Sequence, residues 1–457
     1  MMRTRHTLLY LLVLALLAGY FFYFEVFRRR EKEQEEVTAK RVFQVQAAAV
    51  QALEISTPGK PPLRLDRDGR WRITEPRAAE ADETAVNSYL NTLQSLESAR
   101  QVEGNPSELA PYGLADPSLR VRFKVGEEWR ELLAGDKNPV GDGHYAMTAE
   151  RPAVFLIAVG NWGLLNKGFD DLRRRQLLVF DPASVLSVGV SWASGEGFVV
   201  AREAGDTWKA PGNPEMSIKG SKVGHLLDQV HWLRALTFMA DDASRLGDYG
   251  LAPPQAVVSL RLNEGREIQL LLGKLDEAAK RVAAHSSELP GVVGVEANIL
   301  ESIPRGLDGL EERSLVGFKP EQVRQVVWRL PHGEGHVVQT DGASWAWSGG
   351  GSAPQALKNP WRVRALLWEL ESAEHDGKRE PTPAPPPGEL YGYVGFWDHE
   401  RQLASLVWER PVQGDPPELT VWRTVGGEEA PQAYLVKTTV IDKIAGKLGE
   451  ISGDRQP

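Results

Sequence analysis

Short runs of alternating apolar and polar residues, set off by tight-turn dipeptides, recur after residue 45 and predict antiparallel hairpins. The first set is Ala52-Leu53-Glu54-Ile55, Leu63-Arg64-Leu65, a turn at Asp68-Gly69, and Trp71-Arg72-Ile73. Asp-Gly between such runs signals a hairpin because the turn needs positive φ angles. The plan returns as Val188-Gly189-Val190, Phe198-Val199-Val200, Gly205-Asp206 and Trp208. It returns again as Val326-Val327-Trp328, Val337-Val338, Asp341-Gly342 and Trp345-Ala346-Trp347. Trp71, Trp208 and Trp345 stand at equal intervals of 137 residues, a period that marks internal repetition.

A helix is predicted after each hairpin set. Val86, Leu90, Leu93 and Leu96 recur at helical spacing behind Asp82 or Thr84 as a cap. Val223, Leu227, Val230 and Leu233 repeat the stripe, and Val363, Leu366, Leu367 and Leu370 supply the third. A second marker follows: Tyr112-Gly113-Leu114 with Pro117, then Tyr249-Gly250-Leu251 with Pro253 and Pro254. In the third copy only Tyr391-Gly392-Tyr393 remains, displaced by a proline-rich stretch at 381–387. About four more strands follow each marker, and closing helices are expected near 161–176, 297–314 and 438–451. The unit therefore reads βββ-α-ββββ-α, an α+β arrangement of antiparallel sheets with helices. No flexible linker separates the copies.

Before the repeats, residues 8–24 are free of charge, and with flanking Thr7, and Glu25 tolerated near the end, the segment reaches Phe27 and the ~20-residue length that spans a bilayer. Tyr20, Phe21, Phe22 and Tyr23 suit a membrane interface, and the bulky residues after Ala18 and Gly19 argue against cleavage. Arg28, Arg29, Arg30 and Lys32 taken alone would hold the rest of the chain in the cytoplasm. Glu31, Glu33, Glu35 and Glu36 offset them, and a long domain behind one amino-terminal anchor favours export. The expected organisation is an anchor at 1–27, a charged juxtamembrane helix at 28–45, and repeats at 46–182, 183–320 and 321–452. The third repeat is divergent, with a proline-rich insertion at 380–388, and residues 453–457 form a tail.

Composition narrows the function. The 457 residues are 42% hydrophobic and 25% charged, which suits packed globular units. A net charge of −9, with both signs interspersed, leaves no basic face for nucleic acid. The absence of cysteine removes disulfides and thiolate metal sites.

Individual motifs read as structural. His332-Gly333-Glu334-Gly335-His336 has two imidazoles four apart, but Glu334 is misplaced for a helical zinc site and the glycines indicate a turn. His144 and Tyr145 follow Gly141-Asp142-Gly143, which lacks the Lys-Ser/Thr of a phosphate loop. The pairs Asp170-Asp171 and Asp241-Asp242 suit loop or helix-start positions, and Arg173-Arg174-Arg175 suits a helix end. Gly349-Gly350-Gly351 reads as a flexible loop, and residues 381–387 as a polyproline spacer. No catalytic, cofactor-binding or metal residue is nominated.

The order of these signals resembles the bacterial family known as domain of unknown function 4340. The resemblance rests on Trp71, Pro76, Tyr112, Gly113, Leu114, Pro117, Gly135, Tyr145 and Ala146. In the second copy it rests on Trp208, Pro211, Tyr249, Gly250, Leu251, Pro254 and Gly273. It implies a membrane-anchored envelope protein, encoded beside ABC-type transporters and auxiliary proteins of gliding motility or export.

The expectation is a non-enzymatic, inner-membrane-anchored protein whose repeats bind envelope or ABC-transport partners, with its bulk outside the cytoplasm. An envelope-polymer hydrolase or transferase with a site between repeats, and a purely structural spacer, remain as rivals. The residues do not specify the oligomeric state. Where the period fails, in the third repeat with Trp347, the glycine run and the proline insertion, function is to be sought.

Overall fold

The computed structural model describes residues 40–454 except 205, 332, 349–353, 381–389, 410–416 and 427–429, together with Leu14, Gly19 and Tyr20. It contains three antiparallel sheets. The first is built from β1 (Val50–Ser56), β2 (Leu63–Asp68), β3 (Arg70–Glu75), β4 (Ala79–Glu80), β5 (Arg100–Glu103), β6 (Leu119–Val125), β7 (Glu128–Lys137), β8 (Gly143–Thr148) and β9 (Arg151–Ala158). Its order is β4-β3-β2-β1-β6-β7-β8-β9-β5.

The second comprises β10 (Val185–Trp192), β11 (Gly197–Ala204), β12 (Thr207–Lys209), β13 (Thr237–Ala240), β14 (Ala256–Leu262), β15 (Glu267–Asp276), β16 (Arg281–Ser286) and β17 (Leu289–Glu296). The third comprises β18 (Gln325–Leu330), β19 (Gly333–Asp341), β20 (Ser344–Trp347), β21 (Gln355–Ala356), β22 (Gly377–Lys378), β23 (Leu390–Asp398), β24 (Arg401–Glu409), β25 (Glu418–Val425) and β26 (Gln432–Lys437). Of their orders, β12-β11-β10-β14-β15-β16-β17-β13 and β21-β20-β19-β18-β23-β24-β25-β26-β22, the third sheet's repeats the first, and the second's does so without a described counterpart of β4. The short strand after each helix, β5, β13 or β22, is an addition to the expected unit. It returns the chain to the far edge of the sheet, beside the last long strand.

Among the described residues seven α-helices accompany the sheets: α1 (Glu83–Gln94), α2 (Val159–Leu165), α3 (Phe169–Leu172), α4 (Gly220–His231), α5 (Ile299–Ser302), α6 (Trp361–Ser372) and α7 (Thr438–Ser452). Asp82 caps α1 through Ala85 N at 3.1 Å. The stripe Val86, Tyr89, Leu90 and Leu93 faces a core with Leu53, Leu65, Trp71, Ile73, Val121 and Phe123. In the third repeat Val363, Leu366, Leu367 and Leu370 of α6 share a core with Ile441, Ile444 and Leu448 of α7 and with Trp328, Phe396 and Trp408 of the sheet. Trp71, Trp208 and Trp345 are all buried, so the period counts core residues. The Tyr-Gly marker also has a packing reason. A Cβ on Gly135 would lie 2.2 Å from Tyr112 O, and one on Gly273 2.8 Å from Tyr249 O.

Two expected helices are shorter than the sequence suggests. The span 161–176 breaks at Asn166-Lys167-Gly168, and only α2 and α3 are helical. The span 297–314 gives α5 and a 3-10 turn at Leu307–Leu310, interrupted by Pro304, which cannot continue a helical hydrogen-bond ladder. The juxtamembrane helix expected over 28–45 is absent from its described end after Lys40. Arg41 instead bridges to Glu97, Val42 N donates to Leu96 O at 2.8 Å, and buried Phe43 meets Phe123 edge-on. A core ready to take Val42 and Phe43 draws this segment into extended form. Among the described residues no helix is long and apolar enough to cross a membrane. The expected anchor at 8–24 lies outside the described residues apart from Leu14, Gly19 and Tyr20.

The chain divides into two compact units: Met1–Ser184 with Trp192–Ser194 and Leu227–Ile303, and Val185–Ser191 with Gly195–Leu226 and Pro304–Pro457. Each contains one joint between successive repeats. In the first unit, residues 172–177 bond on one side to the start of α1 (Asp82 N to Leu172 O, 2.8 Å; Arg174 N to Glu80 O, 2.8 Å). On the other side they bond to the exit of α4 (Leu177 N to Leu233 O, 3.2 Å; Ala235 N to Arg175 O, 2.7 Å). In the second unit, residues 310–315 make the same four bonds. Lys219 N reaches Leu310 O at 2.9 Å, Glu312 N reaches Ser217 O at 2.8 Å, Leu315 N reaches Ala373 O at 2.8 Å and His375 N reaches Arg313 O at 2.9 Å.

Candidate functional site

Where they lie among the described residues, the motifs singled out in the sequence have packing or hydrogen-bonding roles in the fold. Gly335 stands opposite Trp328 in the β18–β19 ladder, and a Cβ there would lie 2.1 Å from Trp328 Cζ2. His336 faces Gln325 Oε1 at 3.3 Å, and burial holds its imidazole below the ordinary value. His332 lies outside the described residues, as do Gly349-Gly350-Gly351 and the proline stretch. His144 stacks on Trp162 at 4.5 Å, while Asn138, beside the preceding glycine turn, bonds Asp142 at 2.7 Å. Trp347 is buried, 5.5 Å from Trp328, so it serves the core.

The acidic pairs and the arginine run meet at the first joint. Asp170 and Asp241 hold Arg173 at 2.8 and 3.0 Å, and Arg77 also pairs with Asp241. The Arg173 guanidinium lies 3.3 Å from the Phe238 ring centroid and 4.8 Å from that of Phe169. Burial lowers its pKa, partly offset by Asp241 and Asp170. Arg174 pairs with Glu80, and Arg175 donates to the carbonyls of Ala235, Leu236 and Asp170. Asp171 accepts from Gly168 N at 2.8 Å, and Asp242 caps Ser244, whose hydrogen bonds lower the carboxyl pKa. This is structural chemistry. Among the described residues no group of three His, Asp or Glu side chains could hold a metal ion.

The twelve-residue helices α1, α4 and α6 differ on their exposed faces. Val86, Val223 and Val363 occupy one place, as do Leu90, Leu227 and Leu367, which sets the register. In that register Trp361 corresponds to Thr84 and Ser221, and Trp368 to Asn91 and Asp228. All six positions are exposed, and the third repeat alone places indoles there, 60% and 59% exposed. Trp361 and Trp368 are seven residues apart, about 10 Å along one helical face at 1.5 Å per residue.

Their helix is held firmly. Arg362 pairs with Asp454 at 2.7 Å and donates to Glu450 O at 2.7 Å, Asn359 reaches Asp454 at 2.9 Å, and Lys443 approaches Glu369 at 3.6 Å. These bonds fix α6 against α7 and leave the two indoles outward, with exposed Arg364 between them. Covering about 100 Å² of each ring would contribute about 2.5 kcal/mol. Tryptophan is also the residue type most enriched at interface hot spots. The repeat register carries this signal in the sequence, but a search for catalytic motifs passes over it.

Three sheets of one strand order and an outward tryptophan face define a tandem-repeat α+β protein with a candidate docking surface. The chain belongs to the family described as Domain of unknown function (DUF4340), which matches residues 71–246 and 208–388. The matches start at Trp71 and Trp208, equivalent core positions, and each spans one joint. No curated protein matches the chain significantly.

Proposed function

We propose that this protein is a non-enzymatic scaffold that docks a partner protein through the outward face of α6. Trp361 and Trp368, standing where the sister repeats carry Thr84, Ser221, Asn91 and Asp228, carry this reading. Helix–sheet packing is satisfied without large apolar groups at those places, so the indoles serve something outside the fold. The apolar run at 8–24 supports an inner-membrane anchor with the bulk of the chain in the envelope. The resemblance set out above makes a component of an ABC-type transport or export complex the partner of choice.

Co-purification from gently solubilised membranes tests the proposal. The wild-type chain should retain a reproducible partner, and the variant W361T/W368N, which restores the first repeat's residues, should lose it. Equal retention by both would remove the α6 face from the account. The joints favour a second reading, a spacer, because each is a continuous two-sided hydrogen-bonded segment rather than a linker. A spacer would tolerate W361T/W368N and lose activity when one whole repeat is deleted.

A further inference from the structure

The residue after Glu374 differs among the repeats: Ser98, Ala235 and His375 hold equivalent places behind α1, α4 and α6. His375 is only 5% exposed. Its amide donates to Arg313 O at 2.9 Å and the next amide, Asp376 N, donates to Leu435 O at 2.8 Å, so the backbone is pinned on both sides. The imidazole lies against Tyr434 of β26 with ring centroids 4.4 Å apart. The Arg423 guanidinium of β25 stands 4.8 Å from the centroid of the Tyr434 ring and donates to Ser314 O at 3.2 Å. Among the described residues, His375 Nδ1 has no hydrogen-bond partner.

The surrounding charges are mostly positive. Arg423, Lys378 of β22 and Arg313 of the joint segment act on the imidazole by their charge and oppose its protonation, against Glu311, which favours it. Glu311 is already paired with Arg313 at 2.8 Å. On the histidine's own segment, Glu374 is engaged by Lys222 at 2.9 Å and Lys219 at 3.4 Å, and Asp376 by Lys437 at 3.7 Å. A proton on the imidazole would place another cation in a dry site whose acids are committed, and desolvated like charges repel strongly.

We propose that the joint between the second and third repeats is an acid-operated catch, in which neutral His375 keeps residues 373–375 paired with 313–315 and its protonation opens that pairing. Burial first, then Arg423, pushes the imidazole below its ordinary value of about 6.5. A base with a lowered pKa in the closed form favours closure fully above its open-state value, and closure weakens as pH falls through about 6.5. The first joint makes the same four backbone bonds with Ala235 at this place, so it is a reference within the same chain.

Amide hydrogen exchange on the full chain tests this, at about pH 7.5 and about pH 5.5 after correction for intrinsic exchange. Protection of the Leu315 and His375 amides should fall, by at most about tenfold, the ceiling that an open-state value of about 6.5 sets over this pH range, while Leu177 and Ala235 hold. H375F keeps an aromatic ring on Tyr434 without a titrating group, and H375A copies the first joint; each should abolish the dependence at Leu315. The His375 ring itself, followed by NMR, should titrate below the ordinary histidine range. Equal loss at both joints, no loss at either, a dependence that survives in both variants, or a ring titrating at or above the ordinary value would each overturn the proposal.

Discussion

Asp82 and Lys219 occupy the same place in successive repeats and carry opposite charges, and each meets a matching partner. Asp82 pairs with Arg234 across the first joint, and Lys219 lies 3.4 Å from Glu374 across the second. Glu374 is partly buried, which opposes its ionisation, yet Lys222 and Lys219 hold its carboxyl below the ordinary value. Reversal gives each joint its own polarity. Docking the first repeat directly onto the third would set Asp82 against Glu374.

A charge-reversal series follows from this. D82K should lose about 2 kcal/mol, divided between a helix cap and a half-exposed ion pair. D82K/R234E recreates the polarity of the second joint and should recover about half of that, because the cap to Ala85 N stays lost. Urea unfolding of the single and double variants measures both. A double variant no more stable than D82K would show that the pair contributes nothing.

The tryptophans fall into two populations with opposite behaviour. Trp71→Ala empties a buried site beside Leu65 and Ile73 and should cost about 3–5 kcal/mol. Trp361→Thr and Trp368→Asn change solvated positions and should stay within about 0.5 kcal/mol of wild type. Denaturation midpoints distinguish the two outcomes, and a large loss in W368N would mean that the indole supports the fold.

Two glycines should respond with opposite signs. Gly335→Ala drives a Cβ into the Trp328 ring and should destabilise by about 1–3 kcal/mol. Gly446 lies inside α7 with nothing within 4 Å of its would-be Cβ. Gly446→Ala should therefore stabilise by about 0.5–1 kcal/mol, since helix propensity is the sole change. Thermal unfolding checks the pair, and a destabilised G446A would indicate a close approach by another element.

Much of the architecture was legible because it is written in side-chain period. Trp71 and Leu65 alternate toward a core, Val86 and Leu90 recur at helical spacing, and the interval between Trp71, Trp208 and Trp345 counts the units. The return strand β5 escaped because Arg-Gln-Val-Glu buries none of its four side chains fully, so no alternation announces it. Two of the closing helices are shorter than the sequence suggests because apolar residues such as Leu172 and Leu310 continue past the breaks at Gly168 and Pro304 while leading into the joints. The joint itself is a backbone pattern, and its hydrogen bonds leave no residue signature except the paired charges. The docking face was readable in principle. Once Val86, Val223 and Val363 are aligned, Trp361 stands out against Thr84 and Ser221.

Site-specific photo-crosslinking in intact membranes tests the docking reading most directly. A photoreactive residue would be placed in turn at Trp361, Trp368, Thr84, Asn91, Ser221 and Asp228, equivalent exposed sites on three similar helices. One partner adduct is expected from positions 361 and 368 and none from the other four. Adducts of equal yield from all three helices, or none from the third repeat, would contradict the docking reading.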